Sequence, residues 1–345
     1  MSGVAVAIVG ATGAVGQEFL AVLAQRQFPV RSLRLLASAR SAGSRLRWQD
    51  TDLPVEALDR NAFRGIDLAL FSAGASVSRE AAPWAVAAGA LVVDNSSAFR
   101  MAPEVPLVVP EVNAQAAAAH AGIIANPNCS TILLCVALAP LHQAFGLRQV
   151  VVATYQAASG AGARAMDELV TGTRAALDGR TLPPRHLPQA LAFNLFPQVD
   201  VFQDNGYTRE EDKMLHETRK ILALPDLPVE ATCVRVPVLR CHSESVTVGL
   251  ARPATPEAAA AVLAQAPGVE VVDQRLAPGG APYPMPVTST GRDAVAVGRL
   301  RASRVFTPGL SFWLVGDQLR KGAALNAVQI AESLLLSSPS SSPGS

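Results

Sequence analysis

The stretch VAVAIVGATGAVGQEFLAVLAQ, residues 4–25, decides how the chain is read. It opens on an unbroken apolar run of strand length, closes on a helical pattern, and between them places Gly10, Gly13 and Gly16 three apart. A buried strand, a glycine turn and a helix in that order are the opening of a dinucleotide-binding βαβ unit. The glycines permit a tight turn and close backbone approach to a pyrophosphate, which the helix N-terminus then holds. Glycines also end strands for steric reasons alone. What favours a ligand is position: the turn follows the first strand and opens the first helix. Gly10, Thr12, Gly13, Ala14, Val15 and Gly16 are therefore candidate cofactor contacts.

Outward from this stretch the rhythm continues. SLRLLAS (32–38), LALFSAG (68–74), EAAPWAVAAG (80–89) and ALVVDNS (90–96) alternate short apolar runs with helical patterns, which predicts a parallel sheet with helices on its faces. From VVVATYQAASGAG (150–162) onward the strands become longer and more alternating, as in ATCVRVPV and ESVTVGLARPA, with helices between them. The fold class is thus α/β, with an N-terminal Rossmann-like dinucleotide-binding domain and a mixed α+β second domain. The boundaries expected are 1–128 and 129–319, with a C-terminal helix over 320–336 returning to the first domain and a disordered tail over 337–345. Residues 178–209, rich in proline, asparagine and aromatics without a clean period, read equally as an ordered excursion at a subunit interface or an ordinary surface loop.

A chain of 345 residues is long for a single core, which agrees with two domains. Its 29 basic and 28 acidic residues give no bias toward nucleic acid or anionic membrane, so any anion it binds must be gripped locally. No apolar run reaches membrane-spanning length, and no signal peptide is visible. The four cysteines, at 129, 135, 233 and 241, form no C-x-x-C pair and point to a reducing cytoplasm. Cys233, Cys241 and His242 lack the fourth ligand and short pair of a metal site, so none is expected.

Two local features carry chemistry. The second strand ends in Ser38, Arg40 and Ser41 where an NAD site would place an acidic residue; a cation flanked by hydroxyls suits the 2′-phosphate of NADP. Ser72, in FSAGASVS, offers a hydroxyl at another strand end where a nicotinamide ribose could lie, although a plain βα loop reads the same way. The second feature is NPNCST, residues 126–131. Cys135 sits inside the apolar run that follows, as a packing cysteine should, whereas Cys129 stands where the unpaired N–H groups of a helix N-terminus stabilise a thiolate.

GATGAVG, NSSAFRM (95–101), NPNCST, TYQAASGAG (154–162), REEDKM (209–214), CVRVPVLRCHSES (233–245) and RKGAALNAVQIAE (320–332) follow one another in an order that resembles the aspartate-semialdehyde dehydrogenase family over nearly the whole chain. The resemblance implies NADP-dependent interconversion of 4-aspartyl phosphate and aspartate 4-semialdehyde, toward lysine, methionine and threonine, in a homodimer whose interface lies mostly in the second domain. It implies Cys129 as the nucleophile that forms an acyl-thioester, His242 as acid/base, and Gln156 beside the thiol. An imidazole titrating near neutral pH suits the His242 role. By the same resemblance Arg235 takes the substrate carboxylate and Glu210 its amino end, while Lys213, Arg100 and Asn128 hold phosphate; Ser159, Gly160 and Gln318 join the cofactor contacts.

Glu210 and Lys213, three apart on a helix, share a face, yet EEDKMLHETRK fits a solvated ion-pair face equally well. Arg235 and His242 are seven apart, so on one straight strand they would face opposite ways, and a turn near Pro237 must intervene. Gln318 stands where the closest relatives would carry asparagine. Two competing readings remain: an N-acetyl-glutamyl-phosphate reductase, whose substrate has no free amino group to meet Glu210, and an inactive NADP-binding relative.

Overall fold

The computed structural model describes residues 3–276 and 281–335, so the expected tail and residue 336 of the expected C-terminal helix lie outside the described residues. The chain divides into two compact units, one of residues 1–126 with 324–345 and one of residues 127–323.

The first unit is built on seven strands: β1 (Val4–Val9), β2 (Val30–Ala37), β3 (Arg45–Trp48), β4 (Thr51–Ala57), β5 (Leu68–Phe71), β6 (Leu91–Asp94) and β7 (Ile123–Ala125), in the order β3-β4-β2-β1-β5-β6-β7. Every pair is parallel except β3–β4. Helices α1 (Ala14–Gln25), α2 (Ala75–Ala87) and the single turn α3 (Pro110–Asn113) follow strands or loops between them. β1 is buried along its whole length because both faces are covered, which is why its sequence is a continuous apolar run. Val4, Val6 and Ile8 pack with Phe19 and Leu23 of α1 and with Val328 and Ile330 of the C-terminal helix, Leu325–Leu335. Ala5, Ala7 and Val9 face Ala81, Ala82 and Ala85 of α2 on the other side. A bidentate Arg26–Glu332 pair ties α1 to the C-terminal helix.

The second unit begins with α4 (Cys129–Phe145) and carries β8 (Leu147–Gln156), α5 (Ala163–Leu177), α6 (Arg209–Leu222), β9 (Val229–Arg235), β10 (His242–Leu250), α7 (Pro256–Ala264), β11 (Val269–Val271), α8 (Pro286–Ser289), β12 (Val295–Ala302) and β13 (Gly309–Gly316). Its sheet runs β11-β12-β13-β10-β8-β9, with β8 parallel to β9 and antiparallel to β10. In β8 the alternation is legible: Val150, Val152, Thr154 and Gln156 are buried while Val151 and Tyr155 are exposed. α6 starts with a reciprocal cap, Thr208 Oγ1 accepting from Glu211 N and Glu211 Oε2 from Thr208 N. No regular element lies between Leu177 and Arg209; the segment is pinned by bridges Phe196–Arg235 and Phe202–Thr208 and leaves Phe193 and Phe202 exposed. The helical pattern read from residue 320 splits in two. Arg320–Ala324 is a π-helical turn, and α9 (Leu325–Leu335) begins only after it. Among the described residues no helix is long and apolar enough to cross a membrane.

Candidate active site

In the first unit the three glycines separate by cause. Gly10 has φ +88°, and a Cβ there would come within 2.4 Å of the Ser72 carbonyl oxygen; a Cβ on Gly16 would come within 2.3 Å of the Gly10 oxygen. Both are required by the turn and by helix–strand packing. Gly13, the N-cap of α1, would meet only the Gly10 oxygen, at 3.3 Å, so its bareness leaves backbone open at the helix N-terminus, with Thr12, Ala14 and Val15 beside it. Beyond β2, Ser38 and Arg40 are exposed and Ser41 half-buried, and no ion pair holds Arg40 among the described residues. Ser72 follows β5 directly. Arg100 belongs to this unit and is buried, its Nε donating to the Asn126 carbonyl at 3.0 Å and Nη2 to that of Asn95 at 2.9 Å.

In the second unit the sheet register assembles a row. Gln156 ends β8 and pairs with Arg235, which ends β9; Ser243 pairs with Tyr155, which sets His242, at the start of antiparallel β10, on the other side of Gln156. Arg235, Gln156 and His242 thus stand side by side at one end of the sheet, all buried. The turn required between Arg235 and His242 is Val236–Cys241, closed by Cys241 at φ +75°. It carries the chain across β8, so the two residues flank Gln156 instead of sharing a strand.

Backbone groups of Ala157 orient this row. Its N–H donates to His242 Nδ1 at 3.1 Å, and its carbonyl accepts from Arg235 Nη1 at 2.7 Å. With Nδ1 an acceptor, the neutral imidazole carries its proton on Nε2. Gly160 lies directly against the pair: a Cβ there would sit 2.9 Å from His242 Cε1 and 3.0 Å from Arg235 Nη1. The bareness expected to admit a cofactor is thus already required by these two side chains. Gln318 accepts from Cys241 N at 2.8 Å and donates to Ser159 Oγ, bracing the loops on both sides of the row. Half of the amide expected at nicotinamide, one N–H and one lone pair, is used inside the protein.

The expectation that His242 titrates near neutral pH is corrected. Burial, and then the Arg235 charge, hold its imidazole down at about 3, so it is neutral, with an Nε2 that has no partner among the described residues.

Cys129 is the first residue of α4. Asn128 caps the helix, its Oδ1 accepting from Ser130 N at 3.0 Å and Thr131 N at 3.2 Å. Its Nδ2 donates to Glu210 Oε1 at 2.9 Å and its backbone N–H to Glu217 Oε2 at 2.6 Å. Glu210 Oε1 also accepts from Gln156 Nε2 at 3.1 Å, and Oε2 from Lys213 Nζ at 3.1 Å; Lys213 reaches Asp200 as well, at 2.7 Å. Burial opposes the Glu210 charge, yet Lys213 and the Asn128 and Gln156 hydrogen bonds hold the carboxyl down at about 2. Asn128 and Lys213, expected to hold phosphate, each keep a single side-chain N–H beyond these contacts. Burial pulls the Arg235 guanidinium down, while the charges of Glu210 and of the Cys129 sulfur oppose it, which places all three in one electrostatic cluster. Gly322 of the π-helical turn closes on the nucleophile, where a Cβ would sit 3.0 Å from that of Cys129.

The other cysteines are inert by comparison. Burial pushes the Cys135 and Cys233 thiols far up and Cys241 up to about 12, whereas Cys129 is half-exposed. Sequence reasoning missed Glu217 and Thr154, whose Oγ1 donates to Gln156 Oε1 at 3.1 Å and so turns the amide nitrogen toward Glu210. Glu217 was signalled, since it lies two helical turns after Glu210 and therefore on the same face.

The fold and this row define a semialdehyde dehydrogenase. Two family models match, the semialdehyde dehydrogenase NAD binding domain over residues 5–120 and the semialdehyde dehydrogenase dimerisation domain over residues 138–321. The aspartate-semialdehyde dehydrogenase of Synechocystis is 55% identical over 97% of this chain and 98% of its own. Aspartate semialdehyde dehydrogenase II of Vibrio cholerae, solved in complex with ASA, superposes with a TM-score of 0.93 at 45% identity, over 98% of this chain and 99% of that one. The Candida albicans aspartate semialdehyde dehydrogenase, solved with NADP, gives a TM-score of 0.73 at 25% identity, over 96% and 98%. The chain belongs to the aspartate-semialdehyde dehydrogenase family and has that family's oxidoreductase activity in amino-acid biosynthesis.

Proposed function

We propose that the chain reduces 4-aspartyl phosphate to aspartate 4-semialdehyde with release of phosphate, reversibly and with NADP as cofactor, on the route toward lysine, methionine and threonine. The observation that carries this reading is the grouping of Cys129, at a helix N-terminus, with the Arg235–Gln156–His242 row and the ionised Glu210.

Each end of the substrate has a counterpart. Arg235 takes the α-carboxylate and Glu210 the ammonium, while the remaining N–H groups of Lys213 and Asn128, with Arg100 of the first unit, serve phosphate. The Cys129 thiolate attacks the acyl carbon, the bond to phosphate breaks, and an acyl-thioester remains. Bound NADPH supplies the hydride. Gln156 and His242 Nε2–H donate to the carbonyl oxygen as charge builds on it, and cleavage of the carbon–sulfur bond then frees the aldehyde and the thiolate. A carboxylate on Arg235 offsets one of the two causes that depress His242, so the imidazole is a better acid/base with substrate in place than without it. An acetylated substrate nitrogen would offer Glu210 no ammonium, which disfavours the N-acetyl-glutamyl-phosphate reading.

The residues of the first unit fit NADP: Gly13 leaves the helix N-terminus open for pyrophosphate, and Arg40 with Ser38 and Ser41 offers a cation and hydroxyls for the 2′-phosphate. Ser72, and in the second unit Ser159, Gly160 and Gln318, complete the proposed contacts. The matched dimerisation domain and the exposed Phe193 and Phe202 support a homodimer, and the absence of disulfides among the described residues suits a cytoplasmic enzyme.

The deciding assay is phosphate-dependent reduction of NADP by aspartate semialdehyde, run beside the N-acetyl-glutamate analogue. Activity with the analogue alone would overturn the substrate assignment. For the cofactor, Arg40→Ala should lower the kcat/KM preference for NADP over NAD by about tenfold, the low end for a charge-assisted hydrogen bond at an exposed site. An unchanged ratio would return the cofactor to either dinucleotide.

A further inference from the structure

One carboxyl in the second unit occupies a place where an apolar side chain would pack. Glu244 lies on β10 two residues beyond His242, and so on the same face. It is fully buried, and neither carboxyl oxygen has a hydrogen-bond partner among the described residues. The register sets it opposite Thr154 on one side and Leu314 on the other, and Thr154 is bonded to Gln156. Glu244 therefore stands directly behind the Arg235–Gln156–His242 row.

The titratable groups that face it are Cys135 from α4 and Cys233 from β9; beyond Cys135 lies Glu217 of α6, and beyond Cys233 lie Glu210 and Glu211 of the same helix. These are thiols and carboxylates. His242, on its own strand, is neutral. Burial raises the Glu244 carboxyl well above the usual carboxylate range, with no opposing charge among the causes, and holds it as an uncharged acid. A leucine would fill the site without the desolvation cost of a carboxyl, so stability does not explain the residue.

We propose that Glu244 is a positioning residue of the reaction, a buried and unpartnered carboxyl behind the Gln156–His242 row whose ionisation shuts the site down. This rests on the reading of that row as the place where an oxyanion forms. Two residues of strand, about 7 Å, separate Glu244 from His242 and the oxyanion forms beyond the imidazole; at about 10 Å and an effective dielectric of ~20 a unit charge disfavours a second negative charge on the order of tenfold. Because the oxyanion develops in the transition state, the loss falls on kcat more than on KM.

The test compares wild type with Glu244→Gln, which keeps the shape and cannot ionise. As pH is raised from neutral, wild-type kcat should fall through one ionisation while KM for the semialdehyde holds, and the variant should lose that fall. Melting temperatures give a readout independent of turnover. A carboxyl raised in the folded state loses stability as pH rises above its unfolded value, so the advantage of the variant should grow from acid to alkaline pH. Superimposable kcat profiles for the two proteins would overturn the proposal, as would a stability difference that does not change with pH. Were the wild type inactive on the semialdehyde, the reaction assignment would fail while the melting comparison still decided whether Glu244 is uncharged.

Discussion

The backbone N–H of Asn128 donates to the Glu217 carboxylate at 2.6 Å, one residue before the cysteine that heads α4. Glu210, seven residues earlier on α6, holds the side-chain amide of the same asparagine. The nucleophile is thus positioned from a second helix and not by its own helix alone. Glu217→Ala should cost about 1–3 kcal/mol of stability through the unpaired buried N–H, and should lower kcat more than it raises KM. Thermal melts and steady-state kinetics measure both. A full-strength kcat in a destabilised variant would show that Glu217 serves the fold only.

A stoichiometric thiol reagent at neutral pH should label Cys129 first, since burial raises the other three thiols. Cys129→Ala should abolish turnover without unfolding, while Cys135→Ala leaves it largely intact. Faster labelling at Cys241 than at Cys129 would contradict the assignment.

Gly160→Ala tests the contact beneath the reacting row. Its Cβ would press on His242 Cε1 and Arg235 Nη1 at 2.9 and 3.0 Å, so one of the two must move. Turnover should fall by roughly a hundredfold, as misplacement by about 1 Å does, with weaker binding of the semialdehyde if Arg235 is the one that yields. Wild-type kinetics from this variant would mean that both side chains relax without consequence.

Acid stability carries the signature of the buried imidazole. His242 drops from an ordinary 6.5 to about 3 in the folded protein, so the unfolded chain binds more protons in that window and stability is lost as pH falls through it. Glu210, lowered from 4.5 to about 2, adds a second loss at lower pH. Between about pH 7 and about pH 5 the melting temperature of wild type should fall further than that of His242→Gln. Parallel decline of the two would show that His242 is not the group responsible.

What could be read from residues alone follows from range. The strand–glycine–helix opening is a contiguous signal, and the need for a turn between Arg235 and His242 follows from strand periodicity. Strand order does not: nothing local says that β8 inserts between β9 and β10, and that insertion is what sets Gln156 between the other two. The neutral state of His242 was hidden for a related reason, because burial and the nearness of Arg235 are products of tertiary packing. A histidine beside the polar SES run reads as a solvated titrating group until the sheet covers it. The bareness of Gly160 was visible, and its cause lay in side chains arriving from two other strands.

The hydrogen bonds that aim His242 and Arg235 come from the N–H and carbonyl of Ala157, atoms that every residue except proline supplies in full. The orientation of the two side chains is therefore written in the path of the chain and not in the letter at position 157. Relatives could exchange that alanine for any residue that fits its buried space and keep both contacts. An alignment would then show drift at a site whose geometry had not changed, whereas a one-residue insertion between Gln156 and Gly160 would misdirect both groups at once.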